Sequence, residues 1–308
     1  MIWSSVTFDQ LIAFHAVATR GGFAAASAHL HKSQPAITKL VQNLEAALGL
    51  ALFDRSGYRA RLTDAGRLFL ERAEGRLASS DALRRFGLAL GGAAEPVLRL
   101  VVEAVTPLVR VIAALREVQA RFPAVRYELR TERLTGVIEA LHDATADLVI
   151  AGARGLDPRT TIAQPFGEVR IIPVAHREHP LAAATGPVPA AQLRAYAQVV
   201  LSDSARGELT QTVNVLDGGL QWTVTDVPAK LEIIEAGLGW GGLPEHIVAA
   251  ALAAGTVVAL DVREFEVQAF PLALARRRDE PIGPVAQALW ARLAPPAADA
   301  SSQARAAR

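Results

Sequence analysis

Leu11, Phe14, Val17 and Ala18 recur at helical spacing, so an amphipathic helix with one buried stripe is expected there. Gly21-Gly22 stops it, and a second, Ala-rich helix is expected over Phe23 to Leu30. A third opens at Ser33, whose hydroxyl can cap free backbone N–H groups, with Pro35 in the first turn, where its missing N–H has no helical partner. Ile37, Leu40, Val41, Leu44 and Leu48 make one apolar stripe, whereas Gln34, Thr38 and Gln42 line the opposite side beside Pro35 and Lys39. Such a helix packs with one face and presents the other. Phe53-Asp54-Arg55 and Tyr58 to Leu62 then flank a Ser56-Gly57 turn, and alternation in the second arm projects Arg59 and Arg61 together. From Thr63, an N-cap residue, a helical pattern with Leu70, Ala73 and Leu77 on one side runs toward Leu90. A helix of this length has a stripe to hide, and a second copy of itself is the economical partner.

Gly91-Gly92-Ala93-Ala94 breaks that helix and reads as a hinge, after which the pattern changes. Strands are expected at Val97 to Val102, Tyr127 to Arg130 and Asp147 to Ala151, with helices at Pro107 to Arg121 and Thr135 to His142 between them. Alternation of this kind implies a mostly parallel sheet covered by helices. A second set follows, with strands at Gln198 to Leu201 and Leu220 to Thr225 and helices at Gly207 to Leu216 and Pro228 to Ala236. Glu168 to Val174 and a return strand at Phe270 to Ala275 connect two lobes, and a last helix ends near Leu293. The expected organisation is a small helical head at 1–62, a linker helix and hinge at 63–92, a two-lobed domain at 93–294 and a disordered tail at 295–308.

Ligands of open α/β sheets gather beyond the carboxyl ends of strands, where helix N-termini present free N–H groups. Seven residues stand at such points: Thr106, Thr131, Glu132, Ser202, Asp203, Asp226 and Val227. Ser, Thr and Asp are also the residues that helix caps prefer, so only convergence on one cleft would single them out. Arg133, Arg154 or Arg206 could balance the acids for an anionic ligand. Trp240, within the Gly-rich run from Gly237 to Pro244, is expected to pack in the core rather than face the cleft.

Composition narrows the function. The chain has 308 residues, 51% of them hydrophobic, with a formal net charge of +1, which fits about two folded domains. With no Cys it has no disulfide framework, thiolate metal site or cysteine nucleophile. The first basic residue is Arg20, the start reads amphipathic, and the uncharged run Ile247 to Leu260 has 14 residues, short of the ~18 a membrane span needs. A cytoplasmic protein is expected. The small total charge conceals a division: residues 1–92 hold eleven Lys and Arg against seven Asp and Glu, and the rest of the chain is acidic on balance. The basic excess falls where a polyanion-binding module would need it. Gln can donate and accept toward adenine, Thr offers a hydroxyl and a methyl, and Lys39 can reach guanine or phosphate. Arginines on a hairpin can hold phosphates or enter the minor groove.

An enzyme is not expected. The Gly run lacks the Lys-Ser/Thr of a phosphate-binding loop, His176 and His179 have no acidic cluster of ligand spacing beside them, and no nucleophile motif or cofactor fingerprint is present. A solute-binding protein would account for two lobes but leaves the basic head unexplained.

Three short helices and a basic hairpin inside about sixty residues match a winged helix-turn-helix. The run Phe23-Ala24-Ala25-Ala26, Leu30, Ser33 to Thr38, Leu44-Glu45, Leu48-Gly49, Leu52-Phe53, Arg55 and Leu62 to Gly66 resembles the LysR-type transcriptional regulators. Gly22 and Thr38 stand where that pattern usually has Ser; Thr38 keeps a hydroxyl, whereas Gly22 supplies no side-chain cap. The resemblance implies a multidomain α+β protein: a winged helix-turn-helix, a long linker helix pairing two heads, and a two-lobed effector domain resembling a periplasmic binding protein. It implies DNA contacts from Ser33, Gln34, Pro35, Thr38, Lys39, Gln42, Arg55, Arg59 and Arg61. The partners it implies are an interrupted inverted repeat of double-stranded DNA, a small-molecule effector between the lobes, a homodimer or homotetramer, and RNA polymerase. It implies no metal and no cofactor beyond that effector.

Overall fold

The computed structural model describes residues 6–54, 60–91, 94–206, 211–263, 265 and 269–294. The chain divides into two compact units, the first running to Arg85 and the second beginning at Phe86. In the first, α1 (Phe8–Thr19), α2 (Phe23–Leu30) and α3 (Gln34–Leu48) precede a two-stranded antiparallel ribbon of β1 (Phe53–Asp54) and β2 (Arg61–Leu62), and α4 (Asp64–Leu90) follows. Local chemistry fixes the boundaries. Thr7 and Gln10 form a reciprocal capping box at the start of α1, and Ser33 caps α3 by accepting the Ala36 N–H. Gly22, at φ +124°, enters α2 with no side-chain cap bond, in a backbone region that favours glycine.

The stripes of these helices converge on one core. Phe14 lies at its centre, with ring centroids 5.5 Å from Phe53 and 5.3 Å from Phe69, and Ile37, Val41 and Leu44 of α3 are fully buried around it. Glu45 ties α3 to the ribbon, its Oε1 accepting the N–H groups of Leu52 and Phe53 at 2.9 and 3.1 Å. Thr63 accepts the Gly66 N–H and donates to the Ala51 carbonyl, starting α4 against the same corner.

The second unit carries a nine-stranded arrangement in which two smaller sheets share one long strand. Its first lobe comprises β3 (Val97–Glu103), α5 (Leu108–Arg121), β4 (Arg126–Glu132), α6 (Thr135–His142) and β5 (Leu148–Gly152). Strands β4, β3 and β5 are parallel, as the alternation requires. The long strand β6 (Thr161–His176) then crosses into a second lobe of α7 (Ala190–Arg194), β7 (Gln198–Leu201), β8 (Gln221–Val224), α8 (Val227–Glu235), β9 (Trp240–Pro244), α9 (Glu245–Ala254) and β10 (Val257–Ala259). Strand β11 (Ala269–Arg277) returns to the first lobe, antiparallel to both β5 and β6, and α10 (Pro284–Leu293) packs with α5 on that lobe's core. Glu95 secures this closure: its two carboxylate oxygens accept the Val285 and Ala286 N–H groups at the start of α10.

Three features depart from the pattern-based expectation. Residues 211–216 form no helix; Gln198 clamps them instead, donating to the Asn214 carbonyl and accepting the Leu216 N–H, with Asn214 in the left-handed region at φ +55°. The rest of the helix expected over Gly207 to Leu216 lies outside the described residues. The Gly-rich run forms strand β9, and the uncharged stretch after it forms α9 and β10, none of which the periodicity marks. Trp240 is fully buried, its indole N–H donating to the Leu193 carbonyl and its ring 5.9 Å from that of Phe265, in line with the core placement expected for it. Arg55, Arg59, the Gly92-Ala93 part of the hinge and the tail 295–308 also lie outside the described residues.

Candidate functional site

The first unit presents a polar helix face. Burying Ile37, Val41 and Leu44 turns Gln34, Pro35, Lys39 and Gln42 outward, and all four are exposed; Thr38, at the edge of the stripe, is half-buried. Ser33 is exposed at the cap, so its hydroxyl faces the same end of the helix. Arg61 is exposed on β2, paired in register with Asp54. Among the described expected contacts, Ser33, Gln34, Pro35, Lys39, Gln42 and Arg61 are thus free of the core. A helix whose amides are open and whose packing face is rigidly held has the dimensions and donor–acceptor chemistry for a major groove.

The second unit encloses a cavity between its lobes. It has two adjoining compartments, of about 80 and 180 Å³, which share Glu103, Leu134, Val213 and Phe270. The smaller is walled by Val199, Leu201, Val227, Leu243 and Lys230 from the second lobe, and the larger by Ile138 and Gly152 to Gly155 from the first. Two buried ionisable groups stand in this apolar setting, and the exposed Arg154 lines the larger compartment. Glu103, at the end of β3 and 2% exposed, accepts the Leu134 N–H with both carboxylate oxygens. Burial pushes its pKa up to about 7 against the pull of backbone N–H groups from Leu134 and Ala104; Asp203 adds to the rise and Arg133 opposes it. Lys230, on α8, is 9% exposed, and burial alone pushes its ammonium down to about 8.

Of the seven strand-end residues, only Val227 reaches the cavity wall. Asp226 is exposed and commits its carboxylate to the Ala229 N–H as the N-cap of α8. Thr131 and Glu132 end β4 away from the lining, and Thr106 is buried with its hydroxyl oxygen unpartnered. Ser202 and Asp203 belong to a latch between the lobes. Arg133 Nε donates to the Ser202 carbonyl at 2.7 Å, and Asp203 accepts the N–H groups of Thr135, Gly136, Ala205 and Gln211. Burial tends to raise the Asp203 carboxyl, but these donors outweigh it and hold its pKa below the ordinary value. Six of the seven strand-end residues thus lie outside the wall, two of them, Asp203 and Asp226, with carboxylates committed to backbone N–H groups, while much of the wall comes from β7, α8 and β9. No helix among the described residues is long and apolar enough to cross a membrane.

These two sites carry a shared signature. Residues 8–67 match the model of the bacterial regulatory helix-turn-helix protein, LysR family, and residues 91–295 match that of the LysR substrate binding domain. The chain belongs to the LysR family of transcriptional regulators. It is 30% identical over 252 residues to the probable HTH-type transcriptional regulator YhaJ of Escherichia coli K12, covering 82% of this chain and 84% of that protein. It is also 30% identical to the HTH-type transcriptional activator AllS of Klebsiella pneumoniae, over 82% of this chain and 94% of that one. The fold is that of full-length structures in the same family: a full-length OxyR variant from Pseudomonas aeruginosa (19% identity, TM-score 0.58, 93% of this chain and 94% of that one) and CbnR in complex with its target DNA (22%, 0.57, 93% and 98%).

As a LysR-type regulator the chain couples a helix-turn-helix to a substrate-binding domain, and the sequence signals the first far better than the second. Glu103 and Lys230 are not singled out by the sequence. Glu103 closes a strand of apolar residues, a charged residue ending a buried run, which is a legible if weak signal. Lys230 carries none, since a Lys in the first turns of a helix is ordinary on a solvent face.

Proposed function

We propose that α3 enters the major groove, that Gln34, Thr38 and Gln42 meet base edges, and that Ser33, Lys39 and Arg61 hold the backbone, with Arg55 and Arg59 of the hairpin joining them. The observation carrying this reading is the exposure of the α3 amides on the face opposite Ile37, Val41 and Leu44. Bidentate amide contacts to adenine and a cationic rim on phosphate divide the work into specificity and affinity. CbnR, a protein of the same fold, was solved with its target DNA, which supports DNA as the partner.

Two heads on one duplex follow from the long helix. Leu68 of α4 is 67% exposed, and Val109 and Ile112 of α5 are exposed apolar residues, so a second copy has surface to cover. The proposed assembly is a homodimer or homotetramer on an interrupted inverted repeat, with residues 63–92 pairing the heads and 93–294 sensing the effector. The effector sits in the interlobe cavity and biases the lobes between two arrangements that it binds unequally. The regulator works by binding rather than catalysis, in the cytoplasm, and acts on transcription through RNA polymerase.

Footprinting of the full chain on genomic fragments tests this reading. Two protected half-sites with centres separated by whole helical turns, about 10 base pairs or a multiple, are expected. A single protected patch, or protection independent of sequence, would contradict it.

A further inference from the structure

Lys230 is destabilising where it stands. It lies at the end of the first turn of α8, near the positive end of a helix dipole, and is 9% exposed among apolar side chains. Its ammonium group makes no hydrogen bond or ion pair with any described residue, and burial is the sole influence on its charge. Methionine or leucine there would keep the packing without the desolvation of an amine. Its stem packs against β9 at Gly241, where a Cβ would come 2.6 Å from the Val199 carbonyl oxygen and 3.1 Å from Lys230 Cε. The other polar side chains of the same compartment are occupied. Glu103 serves the Leu134 N–H, and Gln198 serves Asn214 and Leu216. Lys230 is a cation held at the wall of an apolar cavity with its hydrogen-bonding capacity unused.

We infer that Lys230 is the counter-ion of the effector, and that the effector is a compact organic monocarboxylate whose apolar body fills the two compartments. This inference rests on the reading of the interlobe cavity as the effector site. Among cations, the smaller compartment offers one ammonium group and the larger adds only Arg154, an exposed residue, a sparse donor set that suits a single carboxylate rather than a phosphate, which calls for several donors. Val105, Ile171, Val199, Leu201 and Leu243 suit a hydrocarbon skeleton, and cavities of about 150 Å³ accept a molecule of benzene size. Glu103 is on the same wall and Asp203 acts on it from the latch, so a ligand carrying two negative charges would meet repulsion.

Isothermal titration of the full-length chain with isovalerate, phenylacetate and benzoate, each beside its carboxamide, tests the assignment. At least one carboxylate is expected to bind, and its amide to bind on the order of thirty-fold more weakly or not at all. Lys230→Met is expected to fold, with thermal stability equal to or above that of the parent chain, and to lose on the order of thirty-fold in carboxylate affinity. Val213→Trp, at the wall shared by both compartments, is expected to abolish binding of acid and amide alike. A carboxylate bound as tightly by Lys230→Met as by the parent, but lost in Val213→Trp, overturns the role of Lys230 and leaves the cavity as the site. Binding that survives Val213→Trp overturns the placement of the effector itself. Amides bound as well as acids, or no carboxylate bound by the parent chain, also overturn the inference.

Discussion

At the scale of single residues, the two ionisable groups of the cavity make the protein's stability depend on pH in opposite senses. Glu103 has its folded pKa raised to about 7 from an ordinary value of 4.5, so it binds its proton more tightly when folded. Its contribution is present in full below about pH 4.5 and is lost as pH rises to about 7, a change of roughly 3 kcal/mol. Urea midpoints of the parent chain and Glu103→Gln, measured from pH 4.5 to 8, are expected to diverge over that window; parallel curves would contradict the burial assigned to Glu103. Lys230, lowered to about 8, binds its proton less tightly when folded and so works in the other direction at higher pH. Neither behaviour is legible in the sequence, because burial of a charged residue is decided by the strands that cover it. By contrast, the outward faces of Gln34 and Gln42 are legible, since Ile37, Val41 and Leu44 at helical spacing leave them no other side.

At the scale of elements, helices with a strong apolar period are readable to within a residue or two, as with α3, whose Ser33 cap the sequence also shows, and α6. Where glycine and alanine dominate, the pattern carries little information. β9 is a Trp-Gly-Gly-Leu-Pro strand buried on both faces, and α9 is nearly all alanine and other apolar residues, so neither shows an alternation to read. The segment before β8 goes the other way: its apolar spacing suggests a helix, but Gln198 supplies the hydrogen bonds that a helix would have made. The same competition explains Asp203. A carboxylate after a strand suggests a ligand contact, yet this one caps α6 from the opposite lobe. Replacing it by alanine removes acceptors for four backbone N–H groups, each worth about 1 kcal/mol net. Hydrogen exchange at the Thr135 and Gly136 amides is therefore expected to accelerate in Asp203→Ala while exchange in the β3–β5 sheet stays unchanged. Unaltered protection at α6 would contradict the latch.

At the scale of the molecule, two units with different jobs share one chain, and their coupling is thermodynamic. Any ligand that binds the effector cavity and changes DNA affinity has its own affinity changed by the same factor when DNA is bound. Such coupling requires the head to read DNA, and the head is where the sequence and the fold agree most closely. The direct test is a quantitative comparison of specific and random duplex binding, over a range of salt, for the parent chain and for Gln34→Ala, Gln42→Ala and Arg61→Ala. The two glutamine variants are expected to lose about 1–3 kcal/mol on the specific duplex and little on the random one. Arg61→Ala is expected to weaken both and to reduce the salt slope by about one. Equal loss on specific and random DNA in all three variants would contradict the claim that the exposed face of α3 reads sequence.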